Sequence, residues 1–233
     1  MQKILAFFCL IITNIAIAQD IEIVGKGNFS SEKKGKDFAF LETKTDTAQL
    51  QYVASFKATV GGKKSTVSDL FFKIKTQAQM LGANCFRLKS YSRDSTNAVM
   101  ILDTYFGTDS LLNINIANHD KNEVFVFCSD PLVNEKYSIN VNSEKKEFAS
   151  GTYLKFRLKE GEELKLNKGG FTGATAWFTY KQNKPAVFMT ITGFGLGGPE
   201  STGTLSMSFN TGRFNRIDEN LGQLLTQVLK QSE

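Results

Sequence analysis

Residues 66–84 read TVSDLFFKIKTQAQMLGAN and carry the clearest helix pattern in the chain. Counted from Val67, its apolar side chains recur at offsets of 0, 3, 4, 7, 11 and 14, which places them along one side of a helix. A hydroxyl side chain among residues 65–68 can cap the start of this helix, and Asp69 suits the positive end of its dipole. Gly82 is a typical helix end. The stretch therefore predicts one amphipathic helix.

Strand patterns flank this helix on both sides. Leu50–Val60 alternates apolar and polar side chains, and two further strand candidates follow the helix at Cys85–Tyr91 and Ala98–Tyr105. A helix laid across a small antiparallel sheet buries its apolar side economically. The first half of the chain is therefore predicted to be a βαββ unit.

The corner between the helix and the next strand carries a family resemblance. Residues 78–84 match the pattern A-x-x-LGAN, which resembles small bacterial envelope domains of the RcsF and YbjQ-like groups. The resemblance covers about residues 50–105 and implies a βαββ fold. Because the chain lacks the cysteine set and the lipid anchor of the RcsF stress sensors, the resemblance implies no sensing role.

The second half reads as almost wholly β. A polar stretch at residues 117–122 marks the boundary, so we predict one domain over residues 19–117 and another over residues 122–233. Turn residues after the boundary arrive about every 8–14 residues, which favours an antiparallel β-sandwich-like arrangement. Leu111–Ile116 is a further strand candidate. Predicted strands follow at Glu123–Cys128, Tyr137–Val141, Thr152–Leu158, Glu163–Leu166, Ala174–Tyr180, Ala186–Gly193 and Thr204–Phe209.

A second amphipathic helix is predicted after these strands. Its apolar stripe comprises Ile217, Leu221, Leu224, Leu225, Val228 and Leu229, and Asn215 is its expected cap. Residues 151–162 of this half also resemble all-β lipoprotein modules of bacterial envelopes. The whole fold class is thus α+β and mostly β.

The first residues are typical of a secretory signal peptide. Lys3 gives a positive start, an apolar run covers residues 4–12, and Ala16-Ile17-Ala18 supplies the small residues that signal peptidase needs. The run is too short for a membrane span of about 20 residues. We therefore expect cleavage of residues 1–18 near Ala18, export to the periplasm or the exterior, and no stable membrane insertion afterwards; a buried strand and a signal anchor are the alternatives.

The charge and the cysteine content limit which partners, disulfides and metal sites are expected. The net charge of +5 is small and spread along the chain, so nucleic acid is not an expected partner. Outside the leader the chain has two cysteines, Cys85 and Cys128. An oxidising compartment permits a disulfide between them, and two free, buried thiols are the alternative. No Cys or His stands at ligand spacing beside either one, so no metal site is expected.

No catalytic constellation is predicted. Residues 193–198 match G-x-G-x-x-G, but a strand pattern follows where a dinucleotide site needs a helix, so no cofactor is expected. His119 is the sole histidine, and without a nucleophile elbow it is expected to be an ordinary loop residue. An enzyme remains the alternative class, as a secreted hydrolase with acidic catalytic residues.

The most aromatic stretch gives the candidate binding residues. Alternation places Phe178 and Tyr180 on one face of a strand and Trp177 on the other. If one face is open, Trp177, Tyr180 or Phe171 beside the glycine loop can stack on a sugar or a peptide. The function expected from the sequence is an exported, non-catalytic binding or structural module of the bacterial envelope or exterior, with an envelope protein, glycan or peptide as partner.

Overall fold

The computed structural model describes residues 21–29, 37–61, 66–128, 136–168, 174–191 and 214–232. The predicted leader, Phe171 and the predicted strand Thr204–Phe209 lie outside these residues. In chain order the elements are β1 (Ile21–Lys26), β2 (Ala39–Phe40), β3 (Gln51–Gly61), α1 (Val67–Met80), β4 (Cys85–Arg93), β5 (Asn97–Phe106), α2 (Asp109–Ala117), β6 (Glu123–Phe127), β7 (Lys136–Val141), β8 (Glu144–Ala149), β9 (Thr152–Arg157), β10 (Glu163–Lys168), β11 (Ala174–Thr179), β12 (Val187–Thr190), β13 (Asn215–Arg216), α3 (Glu219–Val228) and β14 (Lys230–Gln231). The α+β, mostly β fold class is confirmed.

Sheet A is the five-stranded sheet of the first half. Its strand order is β1-β3-β5-β4-β2, and all neighbours are antiparallel except β2 and β4. The predicted βαββ unit is its centre, formed by β3, α1, β4 and β5. α1 buries Leu70, Phe71 and Ile74 in the same cluster as Phe56 and Met100 of the sheet. The helix therefore covers one face of sheet A.

The ends of α1 follow from its local sequence. Thr66 accepts a hydrogen bond from the backbone N–H of Asp69, and the Asp69 carboxylate accepts one from the backbone N–H of Thr66. This reciprocal pair is a capping box. Gly82 follows the helix with a φ of 87°, which a side chain would strain. The start of the helix is thus specified by Thr66 and Asp69, and its end by Gly82.

Sheets B and C form the second half. Sheet B has the order β11-β10-β7-β8 and is antiparallel, whereas sheet C has the order β13-β12-β6-β9-β14. Sheet C is mixed, because β12 runs parallel to β6 and β14 runs parallel to β9. The expected fully antiparallel arrangement is wrong for this sheet. Between β6 and β9, both in sheet C, the chain forms the hairpin β7–β8 of sheet B. Between β9 and β12 it forms the second hairpin of sheet B, β10–β11, and β12 then pairs with β6 in parallel.

Strand β6 separates two cores. Val124 and Val126 point into a cluster shared with Leu166 and Phe178 of sheet B. Phe125 and Phe127 point the other way, into the cluster that contains α1 and sheet A. Because successive strand residues point to opposite faces, a fully buried strand such as β6 requires cover on both sides.

Helix α3 supplies much of that cover. Leu221, Leu224 and Leu225 are buried in one cluster that also contains Phe40 of sheet A and Phe188 of sheet C. The cap of α3 is Asp218, whose Oδ1 accepts from the backbone N–H groups of residues 220 and 221, whereas the predicted cap, Asn215, lies in β13. No helix in the described part of the chain is long and apolar enough to cross a membrane.

Two elements differ from the sequence predictions. The strand candidate Leu111–Ile116 is part of helix α2. The buried residues of this helix are Leu112 and the polar Asn115, so the alternation of apolar residues in the sequence does not correspond to the buried side. Strand β8 carries four charged residues and buries only Phe148, so it gave no strand pattern. It is an edge strand, where charged side chains are common.

Candidate functional site

The outer face of sheet B carries an exposed tryptophan. Within β11, Phe178 is 9% exposed and packs into the inner cluster, whereas its neighbour Trp177 is 56% exposed. This alternation agrees with the predicted faces of the strand. Large apolar side chains of described residues that are this exposed are few. An exposed indole on a flat sheet offers a stacking surface to a ligand.

Lys165 accompanies the tryptophan. The register of β10 and β11 places Lys165 directly opposite Trp177, and its Nζ lies 5.6 Å from the centroid of the indole ring. A cation at this distance is attracted by the ring face. The contact keeps the ammonium group beside the stacking surface.

A polar concavity of about 280 Å³ begins at Lys165. Asn167 faces Thr175 across the same two strands, and its Nδ2 donates to Thr175 Oγ1 at 2.8 Å. The other lining residues are Asn140 of β7 and Ser143 of the turn that follows β7. Amides, hydroxyls and an ammonium group beside an aromatic ring are the groups that bind the hydroxyls and ring face of a sugar.

The β7–β8 turn is fixed against β10. Asn142 and Ser143 have φ values of 48° and 77°, as a two-residue hairpin turn of the type I′ class requires. The Asn142 side chain accepts from the backbone N–H of Lys165 at 2.8 Å, and its backbone N–H donates to the Lys165 carbonyl at 2.9 Å. These two bonds hold Ser143 at the rim of the polar concavity.

A second, more apolar concavity of about 620 Å³ is lined by Trp177 and also by Phe178, whose side chain points inward, so it lies at the edge of β11 between sheets B and C. Val187 and Met189 of β12 contribute to its lining, as does Thr175, which lines both concavities. Lys184 and Arg216 are its charged lining residues. Trp177 thus lines the apolar concavity and contacts Lys165 of the polar one, and we call Trp177 with the lining of both concavities the Trp177 face.

Of the three predicted binding residues, the structure places only Trp177 on this face. Tyr180 is partly buried against the inner cluster between sheets B and C, on the same side of the strand as Phe178. Tyr180 thus lies on the opposite side of the strand from Trp177, and its contribution to ligand binding stays a prediction. Phe171 lies outside the described residues.

The two cysteines are buried in separate places and are not bonded to each other. Cys85 packs with Leu41 and Leu112 beside sheet A, whereas Cys128 lies in the cluster between sheets B and C. Of the two alternatives left by the sequence, the structure thus has the buried thiols and not the disulfide. Burial raises the pKa of the Cys85 thiol to about 12, so it stays protonated and unreactive at neutral pH.

His119 is buried in a hydrogen-bond network, although it does lie in a loop. Its Nδ1 is 3.2 Å from Glu219 Oε1, and its Nε2 is 3.2 Å from Asn115 Nδ2. Because Asn115 Nδ2 also donates to the carbonyl of Phe40, its other hydrogen faces the imidazole. We therefore assign the proton to Nδ1 and the acceptor role to Nε2.

This assignment bears on the chemistry of His119. A general base needs a ring nitrogen that can reach a substrate. Here Asn115 occupies Nε2, and Glu219 occupies Nδ1. The network joins α2, the segment around β2 and the start of α3, and we interpret it as structural.

A cluster of charged residues lies at sheet C. Lys155 Nζ is 2.7 Å from Glu123 Oε2 and 3.5 Å from Asp120 Oδ2, and it lies 5.3 Å from the ring centroid of Phe125. Burial raises the pKa of Glu123, and the nearby Asp120 raises it further against the opposing effect of Lys155. Neither carboxylate lines either concavity of the Trp177 face. Sequence analysis missed this cluster, because only β6–β9 pairing brings Lys155 to the two acids.

No group of three or more His, Cys, Asp or Glu residues in the described ranges could hold a metal ion. Comparisons with family models, with curated proteins and with solved structures give no match for this chain.

Proposed function

We propose that this protein is an exported glycan-binding module and that the Trp177 face of sheet B is its binding surface. The observation that carries the proposal is the exposed indole of Trp177, held beside Lys165 and a hollow of amide and hydroxyl groups. Sugars present apolar ring faces and many hydroxyls, so they need both kinds of group in one place.

The rigidity of the support favours binding over a merely irregular surface. The stacking residue and four polar lining residues lie on paired strands, and the turn that carries Ser143 is bonded to β10. A surface that is already ordered loses little side-chain entropy when a ligand arrives. This arrangement suits an extended sugar chain that crosses β10 and β11.

Tryptophan fluorescence tests the proposal directly, because Trp177 is the single tryptophan of the chain. We expect oligosaccharide titration to change its emission, and a panel of glycans and peptides to show which class does so. Truncation of a central Trp typically costs about 2 kcal/mol of binding, so Trp177→Ala should weaken glycan binding about 30-fold in gel-retardation assays.

Ile114→Ala is the matched control, because Ile114 is 60% exposed on α2, away from sheet B. It should leave affinity unchanged. Unaltered emission across the whole glycan panel, or equal losses in the two variants, would contradict a glycan site at Trp177. An emission change with peptides alone would move the proposal to a peptide partner.

The proposed location rests on the leader sequence. Mass spectrometry of the native protein should find a chain that begins near Gln19, after Ala18. A native chain that begins at Met1 and stays in the cytosol would contradict export, whatever the binding assay gives.

The alternative of a secreted hydrolase has weaker support. Such an enzyme needs a pocket onto which two or more titratable groups converge. Asp120 and Glu123 share Lys155 at sheet C, away from the Trp177 face. Hydrolysis of a bound glycan that is lost in Glu123→Gln would favour the enzyme.

A further inference from the structure

The charges around the Trp177 face have one sign. Among the described residues that line its two concavities, the charged ones are Lys165, Lys184 and Arg216, and no carboxylate is among them. The chain as a whole is more balanced, with 28 basic and 23 acidic residues. The lining is therefore more basic than the composition of the chain predicts.

None of these three cations forms an ion pair within the described ranges. Lys165 contacts the indole ring, whereas the charge of Arg216 also acts on the carboxylate of Glu219. Lys145, on the same face of sheet B, is by contrast neutralised by Glu147, which lies 2.6 Å away. A ligand at the Trp177 face would thus break no ion pair to reach Lys165.

We infer that the glycan bound by the Trp177 face is anionic, carrying carboxylate or sulfate groups. This inference rests on the proposed function and specifies its ligand class. Lys and Arg donate charge-assisted hydrogen bonds to such groups, which are stronger than those to neutral hydroxyls. A sugar bound beside Trp177 is near Lys165, and the apolar concavity that Trp177 lines adds Lys184 and Arg216, so an acidic polymer that spans both concavities meets all three cations.

Glu163 carries an opposing charge on the same side of β10 as Lys165. It lies two residues before Lys165 on β10, opposite Thr179, and its side chain points outward. A carboxylate there repels an anionic ligand at short range, since the Debye length is about 8 Å at physiological salt. Removal of this charge should therefore strengthen binding of an acidic polymer.

The test compares ligands that differ only in charge, at about 0.15 M salt to suppress diffuse attraction. Polygalacturonate is compared with its methyl ester, and dextran sulfate with dextran. We expect the full-length exported chain to bind at least one acidic member at least tenfold better than its neutral counterpart, and the two pairs distinguish carboxylate from sulfate. Lys165→Gln and Arg216→Gln should each reduce acidic binding about five- to tenfold.

Two further variants keep the result interpretable. Lys145→Gln, a loss of equal charge from the same sheet face, should change affinity less than twofold. Glu163→Gln should increase affinity for the acidic polymer, and a misfolded variant could not produce such a gain. Equal losses in Lys145→Gln and Lys165→Gln would overturn the inference in favour of diffuse attraction.

The outcome also separates this inference from the proposed function. Binding that depends on Trp177 but is equal for acidic and neutral members refutes the anionic ligand and leaves the glycan-binding module standing. Absence of Trp177-dependent binding to every glycan refutes both.

Discussion

The ring of Phe188 lies against the backbone of Gly222, so closely that a Cβ atom on Gly222 would stand 2.2 Å from the ring carbon Cγ. This contact joins α3 to strand β12 of sheet C, and it explains why a glycine stands in the middle of a helix. Glycine there costs up to about 1 kcal/mol of helix propensity relative to alanine. The close approach of α3 to sheet C offsets that cost.

Gly222→Ala should therefore destabilise the protein, although alanine has a higher helix propensity than glycine. Overpacking of a core costs about 1–3 kcal/mol, and urea unfolding should show a loss of about 2 kcal/mol. Gln227→Ala, at an exposed position of the same helix, should change the free energy of unfolding by less than about 0.5 kcal/mol.

A double-mutant cycle with Phe188→Ala tests the cause. Alanine lacks Cγ and Cδ1, the two atoms nearest to the new methyl group, so the cost of Gly222→Ala should fall by more than about 1 kcal/mol in that background. An unchanged cost would show that the Phe188 ring is not what excludes a side chain.

Asn115 is expected to be the most sensitive polar residue of the junction between the two halves. It is 2% exposed, its Nδ2 donates to the Phe40 carbonyl at 2.7 Å, and its Oδ1 accepts from Thr45 Oγ1 at 2.8 Å. Asn115→Asp replaces the donor by a second acceptor and buries a charge. We expect a loss of about 2–4 kcal/mol, measured by chemical unfolding.

Asn113→Asp is the matched control, because Asn113 is exposed on the same helix. The same change of one amide to a carboxylate should cost less than about 0.5 kcal/mol there. Similar losses in the two variants would mean that the charge on α2 matters and the hydrogen bonds of Asn115 do not.

Glu219 should make stability depend on pH in the acid range. The hydrogen bond from His119 lowers the pKa of Glu219 below its ordinary value of 4.5, burial opposes this effect, and the charges of Lys121 and Arg216 add to it. An acid whose pKa is lowered by folding stabilises the native state above its unfolded pKa and loses that contribution as the pH falls through its folded pKa.

Glu219→Gln should therefore be less stable than the wild type at pH 7, by about 1 kcal/mol because the carboxylate is partly exposed. The difference should shrink as the pH falls below about 4.5 and the wild-type carboxylate takes up a proton. Glu160→Gln, in an exposed turn, should show no such trend. A stability difference that grows in acid would contradict the His119–Glu219 bond.

The thiols should be inaccessible in the native protein. Cys85 and Cys128 are both fully buried, so Ellman's reagent should detect no rapid reaction until the chain unfolds. In denaturant without reductant, a chain cleaved after Ala18 should release two thiols. As a control for reagent access, Ser110→Cys places a thiol at an exposed position and should react at once. Detection of no thiol in denaturant would show a disulfide.

The sequence specified what depends on neighbours along the chain. Helix α1 was predictable with both ends, since its stripe, the Thr66 capping box and the Gly82 stop all lie within residues 66–82. Most strands of the second half were predictable for the same reason. α2 was not, because one of its buried residues is the polar Asn115, and the spacing of Asn115 and His119 by four residues was the available signal.

The candidate site was predictable only in part. Alternation in β11 places Trp177 and Phe178 on opposite faces, which needs no knowledge of the fold, whereas the exposure of Trp177 depends on how sheet B packs. The pairing of Trp177 with Lys165 depends on the register between β10 and β11, and the approach of Arg216 depends on the pairing of β13 with β12. Such contacts between distant residues cannot be derived from local patterns.

The position of α3 between sheets A and C also governs when the protein can fold. A growing polypeptide presents Phe40 and, later, Phe188 well before residues 219–228 have been synthesised. We expect the nascent chain to lack a closed interior until that last helix has been made. Such a delay would keep the polypeptide unfolded during the export that we propose.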